Sequence, residues 1–264
     1  MLVGAPATAG FSGAGYLFYG SKKRLVGDVA VTSADAIFLG GRAGEMFGYE
    51  STGGDIDGDG DDDLFVASKP LAGGPGTISL FLGGARMNGP IPAATAYSQI
   101  PVATVDYFTG AALSSGADLT GDGVDDLVVG LGVYLSPLAQ PVTYVVGGSS
   151  DAFTRGPSQG PIVSHLSGTG NAVAVGDVNG DRRADLITGA PDWTDGGTVY
   201  AFWGPVAPGD LSIDQANASF TGPSASRAGA ALATGKLRRK GRAADLAIGA
   251  PGGAGRTYVV PGIR

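Results

Sequence analysis

A strand-and-turn unit returns about every sixty residues along this chain. Apolar strands led by leucine begin at Leu2, Leu64, Leu127, Leu186 and Leu246, with spacings of 62, 63, 59 and 60 residues. A period of this length constrains the fold more than composition does, because each unit must bury its apolar face against its neighbours. A second strand, rich in aromatic and β-branched residues, follows each leader at 15–20, 78–83, 143–147, 199–204 and 257–260. Next comes a short segment read as a third strand: Phe38-Leu39-Gly40, Phe108-Thr109-Gly110, Leu166-Ser167-Gly168 and Phe220-Thr221-Gly222. A small, glycine-rich stretch completes the unit and suits a strand at a crowded centre. It is clearest in Phe47-Gly48-Tyr49 and Asn171-Ala172-Val173-Ala174-Val175-Gly176.

Four short strands per period, with no sustained 3.6-residue apolar stripe, predict an all-β chain. Glycine and proline supply 48 and 16 of 264 residues while 43% are hydrophobic, as expected of many strands joined by tight turns rather than of a disordered tract. Four-stranded units repeated radially are β-propeller blades; a β-solenoid would need a shorter repeat. The reading is one propeller domain over 1–264, with a partial blade at 1–43, full blades at 44–110, 111–168 and 169–222, and a partial blade at 223–264. Three strands in each partial blade and twelve in the full blades make eighteen, which does not divide into fours. Three arrangements accommodate that number: a fragment of a larger propeller, a closed five-bladed ring with two incomplete blades, or a homo-oligomer whose open blade edges pair between chains.

Seventeen basic against 24 acidic residues give a formal charge of −7, which argues against a nucleic-acid partner. Without cysteine there are no disulfides, thiolate zinc sites or cysteine nucleophiles. No stretch approaches the roughly 18 apolar residues of a membrane span, so no membrane insertion is expected. Met1 runs directly into strand-like sequence, and the expectation is a fragment start with any native signal peptide outside this sequence.

Asp55 to Leu64 reads Asp-Ile-Asp-Gly-Asp-Gly-Asp-Asp-Asp-Leu. Alternating carboxylates on a glycine-bent loop repel one another unless a cation sits among them. A hard ion taking many oxygens at flexible distances fits, and Ca²⁺ fits better than Mg²⁺, which holds its waters. The loop recurs at Asp177-Val178-Asn179-Gly180-Asp181-Arg182-Arg183-Ala184-Asp185-Leu186, where Arg182 replaces the second glycine. The order of small-residue strand, Asp-x-(Asp/Asn)-Gly-Asp-Gly-x-x-Asp-Leu loop, Gly-Ala-Pro turn and Gly-x-x-Tyr strand resembles the FG-GAP repeat of integrin α-subunit propellers, from Leu2 to Gly262. The Phe-Gly pair is intact at Phe47-Gly48 and becomes Gly110-Ala111, Thr169-Gly170 and Ala228-Gly229 elsewhere. Integrin-type propellers have seven blades, more than this chain holds.

The expected ligands in the first loop are the side chains of Asp55, Asp57, Asp59 and Asp63 with the carbonyl of Asp61. In the second they are Asp118, Thr120, Asp122 and Asp126 with the carbonyl of Val124, and in the third Asp177, Asn179, Asp181 and Asp185 with the carbonyl of Arg183. About three Ca²⁺ would nearly cancel the net charge. The first loop should bind tightest, having one more carboxylate, and the second weakest, because a Thr hydroxyl is a poorer ligand than an Asn carbonyl. These are not EF-hands: the twelfth position is Val66, Val129 or Thr188 rather than glutamate. A solvated acidic turn is the alternative. The fourth loop, Lys236-Leu237-Arg238-Arg239-Lys240-Gly241-Arg242, keeps only Asp245 and has no divalent site; lysine or arginine facing Asp245, or a solvated basic loop, are its two readings.

His165, the one histidine, follows Ser164 in an outer strand and reads as an edge residue rather than a general base. Most clustered aspartates belong to metal loops, so no catalytic residues are assigned and no enzyme is expected. Trp203 falls in the strand pattern, whereas Trp193 is a candidate for an exposed carbohydrate-binding surface; Asn217-Ala218-Ser219 matches a glycosylation acceptor. The expected function is a noncatalytic Ca²⁺-binding module for adhesion or recognition, extracellular or at the cell surface by resemblance, with a protein or carbohydrate ligand. The alternative is an accessory or catalytic region of a secreted hydrolase, since similar repeats accompany such enzymes.

Overall fold

The computed structural model describes residues 1–20, 26–72, 76–102, 107–133, 141–149, 162–192, 194–238 and 242–262. Among them the first sheet holds β1 (Leu2–Ala5), β2 (Ala14–Leu17) and β3 (Ala36–Leu39). The second holds β4 (Phe47–Gly54), β5 (Asp63–Ser68) and β6 (Gly76–Phe81); after β7 (Gly89–Pro92) comes its outer strand, β8 (Ser98–Val102). The third holds β9 (Tyr107–Ser114), β10 (Leu127–Val133), β11 (Val142–Val146) and β12 (Ile162–Ser167). In the fourth are β13 (Ala172–Gly176), β14 (Asp185–Ala190) and β15 (Thr198–Phe202); β16 (Gly209–Leu211) precedes its outer strand, β17 (Ala218–Thr221). The fifth holds β18 (Ala231–Gly235), β19 (Asp245–Ala250) and β20 (Arg256–Val260). Eighteen of these strands pair antiparallel as three, four, four, four and three, the pattern of a propeller built from FG-GAP blades.

The remaining two strands are additions that the repeat does not announce. β7 pairs parallel with β3, and β16 pairs parallel with β12, so the second and fourth blades each lend a short strand to the blade before them. Gly89-Pro90-Ile91-Pro92 reads as a turn, yet proline is tolerated on an outermost strand where its missing N–H faces no partner.

One strand assignment is corrected. Residues 107–110, read above as the end of the second blade, belong to β9, the inner strand of the third. The outer strand of the second blade is β8, which pairs Ile100 opposite Ile78. Ile100 stands seven residues after the start of its 3-10 turn (Ala93–Thr95), as Phe38 and Phe220 do after theirs (Val31–Ser33 and Ile213–Gln215). The turn and its spacing, not the Phe-x-Gly triplet, mark the outer strand.

The blades pack face to face in chain order. Alternate residues of one strand enter different cores: β10 sends Leu127, Val129 and Leu131 towards the second blade and Val128 towards the fourth. β14 likewise divides Leu186 from Ile187. Four such cores join the five sheets in sequence, and among the described residues none joins the fifth to the first. Phe65, Ile78, Leu80 and Leu127 are fully excluded from solvent, each worth roughly 1.5–3 kcal/mol of burial.

Close approach of adjacent blades explains the paired glycines of the repeat. A Cβ on Gly4 would stand 2.1 Å from Gly48 O, one on Gly189 2.1 Å from Gly229 O, and one on Gly130 2.4 Å from Gly170 O. The glycine of the Gly-Ala-Pro turn, or Gly130 at the same place in the third blade, thus meets the glycine of the Phe-Gly position one blade on. That is why glycine persists at Gly170 and Gly229 although the phenylalanine does not.

Candidate metal centres

Each acidic loop joins an inner strand to the next and is built by its own aspartates. In the first loop, Asp55 accepts the N–H groups of Gly58 at 2.9 Å and Gly60 at 3.0 Å, Asp57 that of Asp59 at 3.1 Å, and Asp59 that of Asp61 at 2.9 Å. The second repeats the scheme, with Asp118 accepting from Gly121 and Gly123, and Asp122 from Val124. In the third, Asp177 accepts from Gly180 and Arg182, Asn179 from Asp181, and Asp181 from Arg183. Gly60, Gly123 and Arg182 occupy one position, with φ of +95°, +93° and +75°. Arg182 therefore sits in the left-handed region that its equivalents meet with glycine.

A buried aspartate closes every loop, at the ninth position in the first three and one residue later in the fourth. Asp63, Asp126, Asp185 and Asp245 are all buried, and each accepts from the backbone at the start of its loop: Ile56, Leu119, Val178 and Leu237. Each also accepts from a glycine N–H after the neighbouring strand: Gly83 at 2.7 Å, Gly148 at 2.9 Å, Gly204 at 3.2 Å and Gly262 at 3.1 Å. Gly148, rather than the Gly147 that ends the strand in sequence, supplies this contact in the third blade.

Where the loops differ is at the third position. Asp55, Asp57 and Asp63 bring carboxylate oxygens within 4.8 Å of one another. In the second loop Thr120 stands there, its hydroxyl 3.4 Å from Asp126 Oδ1. In the third, Asn179 turns its amide nitrogen to Asp181 at 3.2 Å and to Asp185 at 3.4 Å, while its oxygen holds the Asp181 N–H. The fourth loop is one residue longer and places Arg238 at this point. The Arg238 guanidinium lies 2.6 Å from Asp245 Oδ1 through Nη2 and 2.8 Å through Nε, with Nη2 also donating to Gly262 O.

The electrostatics follow. Burial pushes the Asp63 carboxyl above the usual carboxylate range, and the charges of Asp57 and Asp59 push it further. Burial raises Asp126 and Asp185 as well, with Asp122 and Asp181 adding to it. Asp245 moves the other way, held low chiefly by its hydrogen bond to Arg238. Among the described residues no cation pairs with the closing aspartates of the first three loops, whereas Arg238 pairs with that of the fourth. The converging carboxylates of the first loop, on a glycine-bent turn, suit a hard divalent ion such as Ca²⁺.

Neighbouring loops are also tied together. Asp55 donates its N–H to Asp125 Oδ2 at 3.1 Å and accepts the Asp125 N–H on its carbonyl at 3.1 Å; Ala244 donates to Asp177 O at 2.6 Å in the same way.

The other candidates fall away from this face. His165 Nδ1 lies 2.6 Å from Asp210 Oδ1 and the ring stacks on Tyr144, so it stitches β12 to β16. Ser164 donates to Ala207 O, on the opposite face of the strand from His165. Trp203 packs beside the core between the fourth and fifth blades. Asn217 accepts the Trp203 N–H through its side chain. Trp193 and residues 239–241 of the basic loop lie outside the described residues.

Residues 47–81 and 169–202 match the family described as FG-GAP repeat. The chain is 30% identical over 169 residues to "Integrin alpha-PS5" of Drosophila melanogaster, covering 59% of this chain and 16% of that protein. It is 36% identical over 97 residues to "Integrin alpha-3" of Cricetulus griseus, covering 34% of this chain and 9% of that one. The chain thus carries FG-GAP repeats in two places and resembles integrin α subunits, while spanning less than a fifth of the length of these curated relatives.

Proposed function

We propose that this chain is a calcium-stabilised, noncatalytic propeller module that presents a recognition surface for a protein ligand outside the cell. The observation that carries the calcium reading is a contrast between loops: Asp55, Asp57 and Asp63 bring carboxylate oxygens within 4.8 Å of one another, whereas in the fourth loop Arg238 pairs with Asp245. Ions would be held by Asp55, Asp57, Asp59 and Asp63 with the Asp61 carbonyl, by Asp118, Thr120, Asp122 and Asp126 with the Val124 carbonyl, and by Asp177, Asn179, Asp181 and Asp185 with the Arg183 carbonyl. Bound calcium would offset carboxylate repulsion and fix each hairpin; it has no chemical step to perform.

Likeness to integrin α subunits supports the recognition role and the extracellular setting. Placement of Ser164 and His165 on opposite strand faces supports a noncatalytic reading over the hydrolase alternative. Binding of the purified chain to an array of extracellular-matrix proteins tests the role. Saturable binding that weakens in chelator is expected, and binding to none of them would contradict it.

A further inference from the structure

A cavity of about 970 Å³ opens between the loops of the third, fourth and fifth blades. That volume lies in the roughly 300–1,000 Å³ range of ligand sites. Arg182 and Arg183 line it from the loop of the fourth blade, Lys236 and Arg242 from the basic loop of the fifth. Among the described residues none of these four side chains takes part in an ion pair. Four cations that line one cavity, with no ion pair among the described residues, are a large share of the 17 in an acidic protein. They come from segments more than fifty residues apart, brought together only by the stacking of blades.

Arg182 adds a second observation. It stands at φ +75° where the equivalent loops use Gly60 and Gly123. A non-glycine residue in this conformation costs roughly 1–2 kcal/mol, and here it carries a guanidinium to the rim of the cavity. The acids on the wall, Asp118 and Asp177, are first-position aspartates of two candidate metal loops, holding three and two backbone N–H groups respectively. No aromatic residue lines the cavity among the described residues, which disfavours stacking of a sugar ring or nucleobase. Its remaining walls are glycine, alanine and proline, which leave room for an extended main chain.

We infer that this cavity is a docking site for an acidic peptide segment of a partner protein, its carboxylates received by Arg182, Arg183, Lys236 and Arg242. Arginine forks pair with carboxylates in two parallel hydrogen bonds, and the lysine adds a point charge. The inference names a partner surface for the recognition role proposed above and rests on that role for the ligand being a protein.

Fluorescence anisotropy of a labelled hexaglutamate peptide with the full chain in calcium-containing buffer tests it directly. Salt-sensitive binding is expected, with hexalysine not binding. Lys236→Glu with Arg242→Glu should weaken it about tenfold or more, as loss of charged hydrogen bonds implies, and these residues belong to the blade without a metal site. Arg182→Gly, which suits the local backbone, should weaken it independently. Unchanged calcium-dependent melting of the variants shows that the fold and metal loops are intact. No binding of the peptide, equal binding by the variants, or binding of a sulfated oligosaccharide in its place would overturn the inference. None of those results touches the calcium reading, and binding to matrix proteins elsewhere on the surface would leave the recognition role standing.

Discussion

Arg238 Nη2 lies 2.6 Å from Asp245 Oδ1, so the fifth blade closes its loop with a built-in cation where the second brings the carboxylates of Asp55, Asp57 and Asp63 within 4.8 Å of one another. The same closing aspartate, with the same two backbone partners, is solved electrostatically in two ways within one chain. Arg238→Ala should leave Asp245 buried without its guanidinium partner and lower the melting temperature by the same amount in calcium and in chelator. A loss confined to calcium-containing buffer would contradict the assignment.

Removing a third-position ligand should act in the opposite pattern. Asp57→Ala is expected to lose one bound ion per chain by isothermal titration calorimetry and to lower the melting temperature only when calcium is present. Saturating a site at a hundred times its dissociation constant contributes about 2.7 kcal/mol, so the effect is measurable. An unchanged stoichiometry would remove Asp57 from the ligand set.

The pH dependence of the metal-free protein follows from the directions of the carboxyl shifts. Asp63, Asp126 and Asp185 are raised, so the stability linked to them is present below the unfolded carboxylate pKa and is lost as pH rises through their folded values. Asp245 is lowered, so its contribution is present above the unfolded value and is lost as pH falls through the folded one. In chelator, mild acidification from neutrality should therefore raise the melting temperature before stronger acid lowers it. In excess calcium the initial rise should vanish, because protons then compete with the ion. A metal-free melting temperature that only falls on acidification would contradict the charge imbalance.

What the sequence made legible is what is local. The loop from Asp55 to Asp63 folds on its own hydrogen bonds, so spacing alone exposes it, and the leucine-led strands alternate as their burial requires. The parallel strands β7 and β16 were hidden because Gly89-Pro90-Ile91-Pro92 and Gly209-Asp210-Leu211 gain strand geometry from another blade, not from their own propensities. Phe108 misled for a related reason: a three-residue signature also occurs at the start of an inner strand, and the 3-10 turn before Ile100 was the better marker. The basic cavity was illegible because Arg182 and Arg242 come to line one cavity only through tertiary packing.

Gly189→Ala tests the interblade contact that the glycine pairs create. Its Cβ would stand 2.1 Å from Gly229 O, forcing the fourth and fifth blades apart. A loss of about 1–3 kcal/mol is expected by denaturant unfolding, the range for overpacking a close contact. A neutral substitution would show that the blades separate freely there.

His165→Ala should weaken the stitch between the third and fourth blades without changing calcium binding, since His165 contacts Asp210 and Tyr144 rather than any metal loop. Faster amide exchange in β12 and β16 is the expected reading. Exchange unchanged in both strands would show that the pair contributes nothing to their docking.

Thermal melting of the purified chain in millimolar calcium and in chelator tests the central claim most directly. Three loops whose closing aspartates pair with no cation among the described residues predict a substantially higher melting temperature with calcium, retained in part by Asp57→Ala. The same melting temperature in both buffers would contradict the account, leaving the aspartate loops as acidic turns held by backbone hydrogen bonds alone.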